Sequence, residues 1–586
     1  MENNIENNLN NEKIESQEII RTNKYKKNKV KFHVLAIFVI ILFCFALTPK
    51  TLQNDTYYTI AIGEHILENG IDMQDPFSWH EDLPYTYPHW AYDVGTYLVY
   101  QLGENIGIGG FATIYIATAI LAVVLGIVLY VALNKICKNP IISFAVTLGV
   151  MFLLKSFITA RAQLVTYILF VLTVLFIEKF IETKKLRYAI GLIIIPIIIA
   201  NVHLAVWPFY FVLYLPYIVE YIIALISSSD IYFKVSIKHN KNKLKKLTLK
   251  NASEEKINAL TEKIDKIQTK WDNAIAKREK RRNNPYKIVL TKKDNVKYLI
   301  IIMIICIFTG LLTPLGTTPY TYLIKTMQGN TMDNISEHLP LTLINDLKTL
   351  TVLVLFLLIL IFTDTKIKLC DLFMLAGLVL MSFMSRRQVS MFDIVGAFIF
   401  AKLLVALINK YDKNGTEQAV NAITTIWGKI ITVLLGILLC IAILRGKINY
   451  PYVDKSSYPV EASDYILENL DLENIRLYNE YNYGSYLLFR GIPVFVDSRA
   501  DLYTPEFNGT KNAEGEYEGR DIFSDYLNIA NLSTYYENKF EEYGITHVLI
   551  KDNTRLNMFL SRDKEHYKEL YSDDYFVLYE RVTDEE

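Results

Sequence analysis

What most constrains this chain is a succession of long apolar runs, the first at 34–47 and the last at 430–444, parted by charged segments. A helix rises 1.5 Å per residue, so runs of about 16 to 22 residues match a hydrocarbon core of roughly 30 Å, where only helices or closed barrels satisfy their own backbone. Further runs near 111–133, 141–154, 164–177, 189–200, 206–226, 298–312, 350–362, 369–383 and 394–408 complete the series. We expect a polytopic α-helical membrane protein with about 11 transmembrane helices.

Charge orients that bundle. The 61 Lys and Arg residues balance the 61 Asp and Glu residues, yet 230–297 is strongly basic and 452–586 strongly acidic. Lysines between 24 and 31 hold the N-terminus in the cytoplasm by the positive-inside rule. Alternation then puts Lys135, Lys138, Lys179, Lys184, Lys185, Arg187, the basic segment, Lys366, Lys368, Lys410 and Lys413 inside as well, and the C-terminus outside. The expected organisation is a disordered cytoplasmic tail (1–32), a first transmembrane module (33–229) with a long first outer loop (50–108), a basic cytoplasmic helical insertion (230–297), a second set of transmembrane helices (298–447) and a small extracytoplasmic α/β domain (448–586). In that last domain 475–478, 493–496 and 546–550 read as strands, and 461–470 and 521–543 as helical. The first run ends in Pro49-Lys50 without a small-x-small cleavage site and reads as an uncleaved anchor, with a signal peptide as the alternative. The five cysteines lie in or beside apolar runs, so no disulfide framework or cysteine metal site is expected. In the insertion, Ile257, Leu260, Ile264, Ile267, Trp271 and Ile275 form one stripe on a charged helix, open to reading as a solvated hairpin or as a docking or lipid-binding element.

Candidate chemistry gathers in the first outer loop. Asp55 stands just past the end of the first span. A carboxylate there can take a proton from an acceptor hydroxyl or hold a divalent cation, and it can equally cap a helix over 56–69. Asp75-Pro76-Phe77-Ser78 reads as a turn whose acid either supports the first or serves the turn alone. Trp79, His80, His89 and Trp90 offer aromatic faces suited to a sugar ring or to anchoring at the membrane interface.

Asp55-x4-Ile60-x2-Gly63-x2-Ile66-Leu67-x2-Gly70-x4-Asp75-Pro76-Phe77-Ser78, followed by Trp90, resembles the first outer loop of the GT-C superfamily of integral-membrane glycosyltransferases. More narrowly, it is similar to a family of bacterial dolichyl-phosphate-mannosyltransferase-like membrane proteins. Ala160-Arg161-Ala162-Gln163 resembles that family's Arg-Pro-Gln, with alanine for proline, and Asn201-Val202-His203 its Asn-x-His, with Leu204 where glycine often follows. Arg386-Arg387-Gln388 resembles a later basic pair, and Asn479, Gly484 and Tyr486 with Phe495-Val496-Asp497-Ser498-Arg499 resemble the C-terminal domain. The resemblance implies enzymes that use polyprenyl-phosphate sugars outside the membrane, with an acid of the first outer loop central to catalysis.

Alternation independently puts Asp55, Arg161, His203, Arg386 and Arg387 at outer helix ends, and a carboxylate with arginines on one rim suits a sugar phosphate. Snorkelling arginines and a core histidine are the bland reading. The expected reaction is transfer of a sugar from a polyprenyl-phosphate donor to a hydroxyl of an envelope glycan, lipid or protein, with inversion. Asp55 would be general base or metal ligand, supported by Asp75, while Arg161, His203, Arg386 and Arg387 bind the donor phosphate. Trp79, His89, Trp90, Asp497 and Arg499 would serve sugar or acceptor, Asp497 and Arg499 reading equally as an intradomain salt bridge. A divalent metal cation at Asp55 is the candidate cofactor; the partners are the lipid-linked sugar, the envelope acceptor and membrane lipids. A non-enzymatic scaffold and a transporter of lipid-linked glycans are the alternatives, although Asp371, Lys402 and Pro196 are nearly the only midspan features a transporter could use. No nucleotide-phosphate loop or nucleic-acid motif appears, which argues against a nucleotide-sugar donor and a nucleic-acid partner.

Overall fold

The computed structural model describes residues 2–582 except 229, 250–252, 284–286, 330, 343, 345, 446 and 448. Among the described residues, seven helical stretches are long and apolar enough to cross a membrane: Arg21–Leu47, Gly110–Cys137, Pro140–Phe157, Ala162–Thr183, Leu204–Leu249, Arg386–Tyr411 and Ile426–Leu444. Four shorter apolar helices lie at Leu186–Val202, Val296–Leu311, Leu347–Phe362 and Leu369–Met384. Each run read from hydropathy is thus helical, because lipid leaves the backbone no partner but itself. The run at 206–226 is broken into Trp207–Val212 and Leu215–Ser228; Pro208 and Pro216 each remove a backbone donor there.

Composition marks 1–32 as a disordered tail, but the first helix runs from Glu2 to Leu47. An already nucleated span extends into a polar flank at little cost. Arg21 pairs with Glu417 at 2.8 Å and Asn28 Nδ2 donates to Asn421 at 2.9 Å. In the insertion, Ile231–Leu249 and Glu254–Asn283 pack as a hairpin, with Phe233 parallel to Trp271 at 6.3 Å and Leu260 and Ile264 of the apolar stripe buried.

Beyond the last span lies a four-stranded sheet in the order Leu477–Tyr478, His547–Lys551, Phe576–Arg581, Tyr567–Ser572, its first pair parallel and the others antiparallel. Helices Val460–Asn469, Ile522–Ala530 and Tyr536–Tyr543 accompany it. The apolar run at 493–496 stays outside the sheet: Val494 pairs in parallel with Ser78 of the first outer loop, where Trp79 N donates to Val494 O and Val494 N to Phe77 O, both at 3.3 Å.

That pairing is part of a larger union. Leu52, Tyr57, Ile60 and Ile62 of the outer loop are buried in one apolar core with Tyr478, Leu487, Val494 and Leu549, separate from the membrane core. The loop's two helices, Asn54–Asn69 and Trp90–Asn105, press together so closely at Gly63 that a Cβ there would meet Asp93 O at 2.2 Å.

Candidate active site

One rim of the bundle is assembled from helix ends. Asp55 lies in the first turn of Asn54–Asn69, whose N-cap is Gln53, so its carboxylate is not used as a cap. The carboxylate instead forms an ion pair with Arg161 Nη2 at 2.7 Å. Arg161, in extended conformation at the N-cap of Ala162–Thr183, reaches with Nη1 to Glu337 Oε1 at 3.1 Å and Oε2 at 3.2 Å. One guanidinium therefore bridges two carboxylates from different loops, the planar fork matching both.

Glu337 is held by its own backbone. Its carbonyl accepts from Arg387 N at 3.0 Å and from Ser385 Oγ at 3.2 Å, and Arg386 N donates to Leu339 O at 3.0 Å. The short turn Arg386–Gln388 and the loop carrying Glu337 are thereby pinned together. Burial raises the Glu337 carboxyl, but the charges of Arg161 and Arg387 outweigh it and leave its pKa below the ordinary value. Among the described residues, neither Arg386 nor Arg387 has an ion pair.

His89 and His203, ring centroids 5.1 Å apart, lie near Arg387 and Arg161. His203 follows the helix Leu186–Val202 and shares a hydrogen bond with Thr166 Oγ1 at 3.0 Å. Loop and span are locked here, since Leu204 N donates to Pro88 O at 3.0 Å and Trp90 Nε1 to Asn201 Oδ1 at 3.1 Å. Burial, then the nearby Arg387 and Arg161, push the His89 imidazole down to about 3, so it is neutral at neutral pH. Tyr87, two residues earlier, adopts φ 46°, a left-handed value costly for a bulky side chain. Its hydroxyl is anchored to Asp72 at 2.6 Å and Gln74 O at 2.9 Å.

Four expected site residues lie elsewhere. Asp75 and Asp497, with side chains 0% exposed, flank Arg499 at 2.6 and 2.7 Å. Asp497 also accepts from Tyr503 OH at 2.5 Å, and Asp75 from Ser78 N at 3.0 Å. Saturated and sealed between outer loop and C-terminal region, this triad leaves no open face for a substrate. Trp79 is in the same seam, Nε1 on Leu477 O at 2.9 Å and its ring against His80 and Phe495, which leaves it a packing surface. Trp90 anchors Asn201, as above.

Sequence reasoning missed Glu337 and its neighbour His338, whose imidazole burial and Arg387 lower to about 4. The signal was an acid-histidine pair in a loop that helix alternation puts on the Asp55 side. Asp93 was missed too; it is buried, and burial raises its carboxyl well above the ordinary range.

The donor set does not fit a divalent cation. Oδ2 of Asp55 already faces a fixed guanidinium, whose other arm holds the second carboxylate. A cation bound there would lie beside that positive charge. Among the described residues, no three His, Cys, Asp or Glu side chains group as metal ligands.

Apolar spans, a rim of acid, arginines and histidines, and a first loop fused to a C-terminal region define a multi-pass membrane protein with an oligosaccharyltransferase-like fold. Two solved structures from Archaeoglobus fulgidus share it: the oligosaccharyltransferase in its apo form, at 13% identity and a TM-score of 0.52, and the oligosaccharyltransferase AglB in complex with an inhibitory peptide and a dolichol-phosphate, at 14% identity and a TM-score of 0.52. Each match covers 94% of this chain and 74% of the other. No protein-family model and no curated protein sequence matches the chain.

Proposed function

We propose that this protein transfers a sugar from a polyprenyl-phosphate carrier to a hydroxyl of an envelope glycan, lipid or protein, on the outer face of the membrane and with inversion. The observation that carries the reading is the Asp55 carboxylate braced by Arg161 at 2.7 Å on a rim shared with Arg387 and two histidines. In this reading the N-terminus is cytoplasmic and the C-terminal region, from about residue 448, folds outside and covers the acceptor side.

Asp55 takes the proton as the acceptor oxygen forms its bond to the anomeric carbon from one face. The carbon–oxygen bond to the lipid phosphate breaks on the other, and the electron pair leaves with the phosphate. Arg387 and Arg386, which have no ion pair among the described residues, face that growing charge. Arg161 fixes the orientation of Asp55 and Glu337, and neutral His89 and His203 donate or accept hydrogen bonds without adding charge. The dolichol-phosphate held by AglB supports a lipid phosphate as the carrier. Asp75, Asp497 and Arg499 act by positioning the loop.

The test is a mass-spectrometric profile of envelope glycans in cells lacking the protein, complemented with wild type or Asp55→Asn at equal membrane abundance. Restoration of a missing sugar by wild type alone is expected and names the substrate. Equal restoration by both would sink the mechanism.

A further inference from the structure

We propose that the membrane face opposite Asp55 carries a second site, for a phosphate-bearing anion. Glu178 lies on the helix that begins beside Arg161, and Lys402 on the helix that begins beside Arg387. At 1.5 Å per residue each lies roughly 20 to 24 Å along its helix, near the far interface. There Lys402 Nζ meets Glu178 at 2.6 Å and Asp371 at 2.7 Å, and Tyr217 OH donates to Glu178 at 3.1 Å. Ionisable groups at this depth are costly and persist where they face a cavity or one another. These do both, forming the floor of a cavity of about 370 Å³.

The cavity's charge is unbalanced. Six lysines and three carboxylates line it, a net +3. Lys402 is neutralised by the floor, and Lys179 by Glu182 at 2.6 Å. Lys138, Lys293, Lys366 and Lys368 have no ion pair among the described residues. Four ammonium groups lining one cavity repel one another, and a phosphate group bound there would replace that repulsion with attraction. Basic pockets between helices at a membrane face take the head groups of anionic lipids in this way. The wall is also braced: strand Ile288–Val289, just after the helical insertion, pairs in parallel with Ile367–Lys368, and Lys287 O accepts from Ile367 N at 2.8 Å. Lys368 is therefore held in place rather than free on a loop. The same chemistry is offered by a lipid head group and by a soluble phosphate.

The full-length protein in detergent would be followed by native mass spectrometry with phosphatidylglycerol or phosphatidylcholine, and by thermal shift with inorganic pyrophosphate. Lys293→Gln/Lys368→Gln and, as a second pair, Lys138→Gln/Lys366→Gln are compared with Lys263→Gln/Lys270→Gln on the exposed face of the insertion. A lipid ligand predicts selective retention of phosphatidylglycerol, weakened about 10- to 30-fold by either cavity pair and unchanged by the surface pair. A soluble ligand predicts a pyrophosphate shift with the same dependence and no lipid preference. Wild type that responds to neither probe, or cavity variants that bind as wild type does, would overturn the site.

Discussion

Arg161 holds Asp55 with one arm and Glu337 with the other, so its loss leaves two carboxylates facing each other across the rim. Arg161→Gln is expected to lower transfer by about 10²- to 10³-fold, the range for removing one preorganised electrostatic contact. Arg161→Lys should recover only part of it, because a point charge cannot fork to both acids. Because the counter-cation is part of the chain, chelation with EDTA should leave transfer by the purified protein in proteoliposomes unchanged; restoration of a chelated enzyme by Mg²⁺ or Mn²⁺ would contradict this. His89 supplies the pH dependence. Its folded-state pKa of about 3 lies below the ordinary 6.5, so as pH falls below about 6.5 the unfolded chain takes up a proton that the fold refuses, and stability drops. Thermal denaturation at pH 7 and pH 4.5 should show that drop, and His89→Gln should reduce it. The reduction is partial, since His80 and His338, each lowered to about 4, act in the same direction. At this scale the sequence showed residue types but not partners. Helix alternation brings Asp55 and Arg161 to one rim without pairing them; Glu337, which completes the bridge, belongs to a loop whose place on the rim depends on how the later spans pack.

The outer-loop turn is legible in sequence as far as its own hydrogen bonds. Asp75 accepts from Phe77 N at 3.3 Å and Ser78 N at 3.0 Å, as an Asp-Pro turn predicts. Its dominant partner is Arg499, from the far end of the chain. A buried arginine between two buried acids is sensitive to deletion, because the surviving charges are stranded. Arg499→Met is therefore expected to destabilise the protein by about 3 to 5 kcal/mol, read as a large fall in melting temperature in detergent. Asp55→Asn, on the open rim, should leave that temperature nearly unchanged. The contrast separates a positioning triad from the reacting acid. Gly484 marks the same seam: a Cβ there would meet Val496 O at 2.0 Å, so the helix Tyr481–Phe489 can lie against the 493–497 segment only with glycine at that point.

Across the whole molecule, the first outer loop and the C-terminal region form one cooperative unit above the bundle. They share an apolar core, a strand-like pairing at Ser78 and Val494, and a buried ion triad. Truncation after residue 447 would expose Tyr57, Ile60 and Ile62, each at most 1% exposed in the intact chain. We expect the truncated protein to lose transfer and to be cleaved within 50–108 by a protease that leaves the intact protein whole. Persistence of a protected loop would show that the two parts fold independently.

The sequence by itself determined the apolar helical runs and the helical insertion, for these follow from hydropathy and periodicity over neighbouring residues, whereas it read 206–226 as one run that the structure breaks near Pro208 and Pro216. Only the tertiary structure decided that Asp75 belongs to a seam and Glu337 to the rim, that residues 493–496 pair with the outer loop, and that Lys402 sits between two acids. Each of these depends on groups hundreds of positions apart, where the strength of a charge contact is set by distance and local dielectric, and neither is written in local pattern.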